Sequence, residues 1–240
     1  MSGFAAGRNR IDHSEGVRSA KPMTSSAEAA TFAVLRLRMV EYQLRARGIS
    51  DGRVLDAMSR VPRHEFTPER YRDQAYEDHP LPIAEGQTIS QPYIVASMLE
   101  ALSIAPEDRV LEVGTGSGYV TALLAELASH VVSVERHAVL AEAARNLLAR
   151  LGYRNLEVIV GDGSQGLVEN APYDAILVSA AAAEVPQPLV VQLAEGGRMI
   201  IPVGPADCQQ LQLVQNQNGK LRTTLREPCR FVPLISGDDD

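Results

Sequence analysis

The chain has 240 residues, 45% of them hydrophobic, which supports one sizeable core and leaves little room for two domains of ordinary size. A formal charge of −7 supplies no basic face for a nucleic-acid backbone, and the two cysteines, Cys208 and Cys229, stand outside any metal-ligand or disulfide-framework spacing, which points to a reducing, cytoplasmic setting. No apolar run reaches the roughly 18 residues of a membrane span, and the N-terminus lacks a signal-peptide core, so neither a membrane nor secretion is expected.

Residues 1–30 are small, polar and mixed in charge without a sustained period, the composition of a flexible leader. Residues 31–240 then read as a single domain. Its first part, 31–104, is a helical cap with a substrate loop. A helix over 31–47 places Val34, Leu37, Val40 and Leu44 on one face and stops at Gly48. A second, short helix begins after Ser50, with the stripe Val54, Leu55 and Met58 and Pro62 as its terminator. Residues 63–87 have no steady period and several prolines, the mark of a long ordered loop of the kind kept for function. In "EGQTISQPYIVASML", Thr88 and Ser90 precede Pro92 and a helical face of Ile94, Val95, Met98 and Leu99. Read locally, Ser90 is an N-cap.

Residues 105–205 alternate short apolar runs with helical stretches. "DRVLEVG", "HVVSVE", "LEVIVGD", "YDAILVSA" and "RMIIPVG" read as strands, and "YVTALLAELA", "AVLAEAARNLLARLG" and "PQPLVVQLAEGG" as helices, the last closed by its glycines. Such alternation means an α/β fold, a doubly wound sheet of parallel strands and crossover helices. Residues 206–240 hold two strand-like runs around Asn218-Gly219, an antiparallel hairpin at the sheet edge, and end in a solvated "GDDD" tail.

The loop "LEVGTGSGY" carries Gly114, Gly116 and Gly118 between a strand and a helix, where glycine serves either a tight turn or a close approach to a ligand. Its spacing departs from the G-x-G-x-x-G of dinucleotide sites. Glu135 ends the next strand and Asp162 the one after, with Glu112 just ahead of the loop, so three carboxyls are expected around one cleft. Carboxylates disfavour a pyrophosphate ligand, and no P-loop lysine is present. They suit a cationic or neutral nucleoside such as S-adenosylmethionine.

With these motifs the chain resembles the protein-L-isoaspartate O-methyltransferase family over about Met39 to Leu234. The resemblance lies in "MVEYQLRARGI", "YEDHPLPIAEGQTISQPYIVA", "VLEVGTGSGY", "VVSVE", "VGDG", "APYDAILVSAAA", "GGRMIIPVG" and "RFVPL". It implies a Rossmann-like sheet of the S-adenosylmethionine-dependent methyltransferase type, with N-terminal helices and a C-terminal hairpin. It implies S-adenosyl-L-methionine as cofactor, no metal, and isoaspartyl-containing proteins and peptides as partners, methylated on the α-carboxylate so that repair proceeds through a succinimide. By motif, Ser90 matches the active-site serine; Thr88 and Ile89 join it in binding substrate; and Gly114, Thr115, Gly116, Ser117, Glu135, Asp162 and Gly163 match cofactor contacts. The leader before Thr31 has no counterpart.

An aspartyl-type carboxyl with a pKa of about 4 is already anionic at neutral pH, so the enzyme's task is alignment and exclusion of water, for which neutral hydroxyls suffice. Ser90 is no covalent nucleophile, since no G-x-S-x-G elbow surrounds it and no histidine adjoins it. His79 reads more readily as a structural hydrogen-bonder than as a site residue, and His64 and His137 are weaker candidates. The "SAAAAEVP" run borders a peptide groove or packs against a helix. Two alternatives stay open: an aspartyl methyltransferase dedicated to one peptide partner, which would be expected to carry a recognition module beyond "RFVPLI", and a non-catalytic S-adenosylmethionine-binding protein. The absence of an N-P-P-[YF]-type motif argues against a nucleic-acid methyltransferase, and the acidic surface favours a monomer.

Overall fold

The structure, a computed structural model, describes Met1 and residues 25–237; the leader over 2–24 and the terminal aspartates lie outside the described residues. Helix α1 (Ser25–Arg38) begins ahead of Thr31, then widens into a π-helical turn, Met39–Leu44, and tightens into a 3-10 turn, Arg45–Arg47. Gly48, in the left-handed region at φ +98°, ends it. The expected stripe is therefore divided: Val40 and Leu44 are buried with Met39, whereas Val34 and Leu37 are each 57% exposed. A π-turn changes the angular position of every later residue, so one 3.6-residue stripe cannot serve both halves of the helix. Phe32 and Leu35 pack inward instead.

Asp51, rather than Ser50, caps α2 (Gly52–Arg60), its carboxylate accepting from the backbone N–H groups of Arg53 and Val54. The expected loop holds two 3-10 turns, Arg63–Phe66 and Glu69–Gln74, and the paired strands β1 (Leu81–Pro82) and β2 (Thr88–Ile89), which lead into α3 (Pro92–Leu102).

The core runs through β3 (Arg109–Val113), α4 (Tyr119–Leu127), β4 (His130–Glu135), α5 (Ala138–Arg150), β5 (Leu156–Val160), β6 (Tyr173–Val178), α6 (Gln187–Val190) and β7 (Leu193–Val203). The hairpin strands β8 (Gln209–Gln217) and β9 (Lys220–Cys229) complete a seven-stranded sheet in the order β5-β4-β3-β6-β7-β8-β9. The ladders from β5 to β7 are parallel and those to β8 and β9 antiparallel. Asn218 and Gly219 both have positive φ (55° and 71°), the conformation a two-residue type I′ turn requires.

Strand residues alternate between two cores. Val110, Val131, Ala175 and Ile200 face α2, α3, α4 and α5, while Leu111, Val132, Ile176 and Met199 face the side that carries α6. The helix expected over "PQPLVVQLAEGG" is only α6, four residues long, and Gly196 and Gly197 lie inside β7 rather than closing a helix. The buried Gln192 side chain ends α6 early by holding Leu167 N, Gln165 O and Pro188 O, and the glycines shape the register shift against β6. The strand order reverses at β3, from which β4 and β5 extend to one side and β6 and β7 to the other, which opens a crevice beyond its carboxyl end.

Candidate active site

The glycine loop leaves β3 at this crevice. Gly118, which opens α4, has φ +87°, and a Cβ there would sit 3.2 Å from Ala144 Cβ and 3.3 Å from Leu148 Cδ1. Only glycine meets both the left-handed turn and the close approach of α5. Glu135 holds the loop from the neighbouring strand: its Oε2 accepts from Gly116 N at 2.8 Å and its Oε1 from His137 N at 2.9 Å. Thr115, 4% exposed, shares a 2.5 Å hydrogen bond with Ser133 Oγ beneath the loop.

The second wall is the segment ahead of α3. Thr88 is exposed, Ile89 is buried and Ser90 is half-buried. The N-cap of α3 is Gln91 and has no side-chain cap, so Ser90 does not cap this helix. Asp78 supplies the bond instead: its carboxylate accepts from Tyr93 N at 3.0 Å and Gln91 Nε2 at 2.8 Å, and pairs with Arg47. The Ser90 carbonyl accepts from Arg63 at 2.9 Å, while its hydroxyl has no hydrogen bond among the described residues.

Between the walls lies a cleft open to solvent. It brings Thr88, Ile89 and Ser90 together with Gly114, Thr115, Gly116, Ser117, Glu135 and Gly163. Gly163 permits a close approach, since a Cβ there would lie 2.5 Å from Val113 Cγ1. Asp162 stands beside the cleft without lining it; its Oδ1 accepts from Ser164 N and its Oδ2 from Gly237 N, each at 2.9 Å. Partial burial opposes its ionisation, yet those N–H groups and the Arg136 charge hold its carboxyl below the ordinary value.

Glu112 departs from expectation. It is fully buried beneath the loop, its Oε2 accepting from Thr121 Oγ1 at 2.5 Å and Ser133 Oγ at 2.6 Å, so two carboxyls rather than three stand at the crevice. Desolvation, moderated by those hydroxyls, pushes its pKa up to about 8. Strand alternation is the reason, because Glu112 points to the face opposite Val113.

His79 bonds Pro80 O and Glu77, each at 3.0 Å, away from the cleft, and His64 stacks on Phe32 and bonds Tyr76. His137, by contrast, lines the cleft, as do Gln87, Tyr119, Arg136, Ser179 and Ala180. Residues 231–235 close one side, anchored where Ala181 N donates to Val232 O and Leu234 N to Ala181 O, each at 2.7 Å. The "RFVPL" run carried a signal for that wall, but its distance along the chain hid its place.

The sequence profile of the family described as Protein-L-isoaspartate(D-aspartate) O-methyltransferase (PCMT) matches residues 36–239. A protein-L-isoaspartate O-methyltransferase of Koribacter versatilis is 58% identical over 213 residues, covering 89% of this chain and 96% of that one. Another from Methanoculleus marisnigri is 58% identical over 200 residues, covering 83% and 91%. Among solved structures, one protein-L-isoaspartate O-methyltransferase superposes with a TM-score of 0.76 at 32% identity, covering 85% of this chain and 66% of that one. A Plasmodium falciparum structure of the same description, in complex with S-adenosyl-L-homocysteine, gives 0.73 at 30% identity, covering 83% and 98%. With the profile spanning most of the chain and relatives 58% identical over nearly their whole length, the chain belongs to the protein-L-isoaspartate(D-aspartate) O-methyltransferase family.

Proposed function

We propose that the chain performs its family's reaction, methyl esterification of the α-carboxylate of L-isoaspartyl residues in damaged proteins and peptides, with Ser90 and Thr88 at the acceptor and the glycine loop at the donor. The observation that carries this assignment is the convergence of an uncommitted Ser90 hydroxyl and the Glu135-braced loop on one cleft.

The lining fits S-adenosylmethionine. Glu135 offers a carboxylate at the end of β4, suited to ribose hydroxyls, and Gly163 lets its segment pack tightly against Val113 at the cleft wall. When bound, S-adenosylmethionine supplies an electrophilic methyl group on a sulfonium, released as the acceptor oxygen forms its new bond to carbon.

The protein's residues need not remove a proton, because the acceptor carboxylate is anionic at neutral pH. Their work is alignment. A Ser90 hydroxyl donating to one carboxylate oxygen holds the other toward the donor without neutralising it. Ile89, Tyr119 and residues 231–235 exclude water from the line of attack. The peptide nitrogen of the following residue then displaces methanol from the ester to close a succinimide, whose hydrolysis returns part of the damage to normal aspartate.

Setting and assembly belong to the same proposal. Cys208 and Cys229 are both free thiols, as suits the cytoplasm, and the acidic surface favours a monomer. No helix among the described residues is long and apolar enough to cross a membrane.

The test is transfer of labelled methyl from S-adenosylmethionine to matched peptides containing isoaspartate or normal aspartate, with Ser90→Ala alongside. Labelling confined to the isoaspartyl peptide, with kcat/KM lowered about 10- to 100-fold in the variant, is expected. Equal labelling of both peptides refutes the acceptor assignment, and an unimpaired folded variant refutes the role of Ser90.

A further inference from the structure

Arg63 is fully buried, at 0% exposure. A buried guanidinium is ordinarily neutralised by a carboxylate. Among the described residues this one has only neutral partners: Nε donates to Ala75 O at 2.8 Å, Nη2 donates to Ser90 O at 2.9 Å, and Cζ lies 4.9 Å from the Tyr119 ring centroid. Its Nη1 has no hydrogen-bond partner. The Asp78 carboxylate, whose charge Arg63 feels, is engaged by Arg47, Gln91 and Tyr93. Desolvation brings Arg63 down to about 10, which leaves it charged at neutral pH.

Two of its three contacts, Ser90 and Tyr119, line the cleft. A hydroxyl can donate to a carboxylate or to a carboxamide oxygen, more strongly to the charged one, so Ser90 and Thr88 alone distinguish only in part an isoaspartyl α-carboxylate from its isosteric α-carboxamide. Charge completes the distinction. The chain carries a net −7 and sets Glu135 beside Arg136 in the same cleft, with Arg136 donating to the Gly237 carbonyl, so an anionic acceptor gains from a further positive potential.

We propose that Arg63 is a positioning and specificity-determining residue, whose buried, unneutralised guanidinium fixes the Ser90 backbone and selects a carboxylate acceptor over a carboxamide. Because the Ser90 peptide group stands between them, the field attracts the acceptor without a direct ion pair that would quench its nucleophilicity. Burial also shields that field from salt. The proposal rests on the reading of Ser90 and Thr88 as the acceptor subsite.

The experiment measures binding of an isoaspartyl peptide and its α-carboxamide twin to enzyme saturated with S-adenosylhomocysteine, so that no turnover occurs. The variants are Arg63→Gln, Arg63→Lys and Ser90→Ala. Wild type is expected to prefer the carboxylate by about tenfold or more, a preference kept as salt rises from about 0.05 to 0.5 M. Arg63→Gln should lose most of that preference with S-adenosylhomocysteine affinity unchanged, and Arg63→Lys should restore it. Full preference in Arg63→Gln, or a lysine variant no better than glutamine, overturns the proposal. Should Arg63→Gln fail to fold, the salt series decides, because a wild-type preference that disappears at high salt assigns the field to a more solvent-accessible cation such as the half-buried Arg136. If Ser90→Ala binds both peptides as wild type does, the subsite reading itself fails, and the proposal with it.

Discussion

Glu135 Oε2 accepts a hydrogen bond from Gly116 N at 2.8 Å, so the residue that ends β4 braces the loop that leaves β3. In Glu135→Ala both the brace and the carboxylate facing the cleft are lost. Removal of a charged hydrogen-bond acceptor of this kind costs roughly 1.5–3 kcal/mol, or about 10- to 150-fold in affinity. Calorimetric titration with S-adenosylhomocysteine is expected to show that loss, and unchanged binding would exclude Glu135 from the donor site.

Glu112 makes stability depend on pH. Its carboxyl titrates near 4.5 when unfolded and at about 8 in the fold. Between those values the folded chain retains a proton that the unfolded chain has released. This contribution to stability is therefore full below pH 4.5, declines by about 1.4 kcal/mol per pH unit, and levels off above pH 8. Urea unfolding at pH 6 and pH 8 should show wild type losing roughly 1–3 kcal/mol more than Glu112→Gln. Parallel losses in the two proteins would mean that Glu112 is ionised throughout.

Gly163 admits no side chain, because a Cβ there would lie 2.5 Å from Val113 Cγ1. Gly163→Ala is expected to lower stability by about 1–3 kcal/mol. Adding Val113→Ala should recover part of the loss, since the clash disappears with the isopropyl group. Thermal unfolding of the single and double variants measures the coupling, and strict additivity would place the strain elsewhere.

Asp78 ties the start of α3 to the loop before it through Tyr93 N and Gln91 Nε2. Asp78→Ala should lower stability by about 1–2 kcal/mol, as loss of a capping carboxylate does. Because Ser90 immediately precedes this helix, the variant should also raise KM for an isoaspartyl peptide while leaving S-adenosylhomocysteine affinity intact. A variant with altered stability and normal peptide kinetics would confine Asp78 to the fold.

Local pattern was enough for the sheet. The alternating runs from Arg109 to Val178 become β3 to β6 because a buried parallel strand needs a continuous apolar run, and Asn218-Gly219 becomes the hairpin turn because both residues tolerate positive φ. It failed where a distant contact overrides it. Gln192, gripping the segment at Gln165 and Leu167, shortens the helix expected at Pro186, and the π-turn at Met39 turns Val34 and Leu37 outward.

The candidate site divides the same way. Residue type and spacing alone singled out the glycine loop and Glu135, because backbone turns and strand ends leave signatures a few residues long, whereas Thr88 and Ser90 became candidates through the family resemblance, the local pattern at Ser90 being that of an N-cap. Only the tertiary structure buried Glu112 beneath the loop, assigned the α3 cap to Asp78 instead of Ser90, and set the uncompensated charge of Arg63 against the Ser90 carbonyl. Each of these depends on which atoms meet across the fold, and on how much water they lose in meeting.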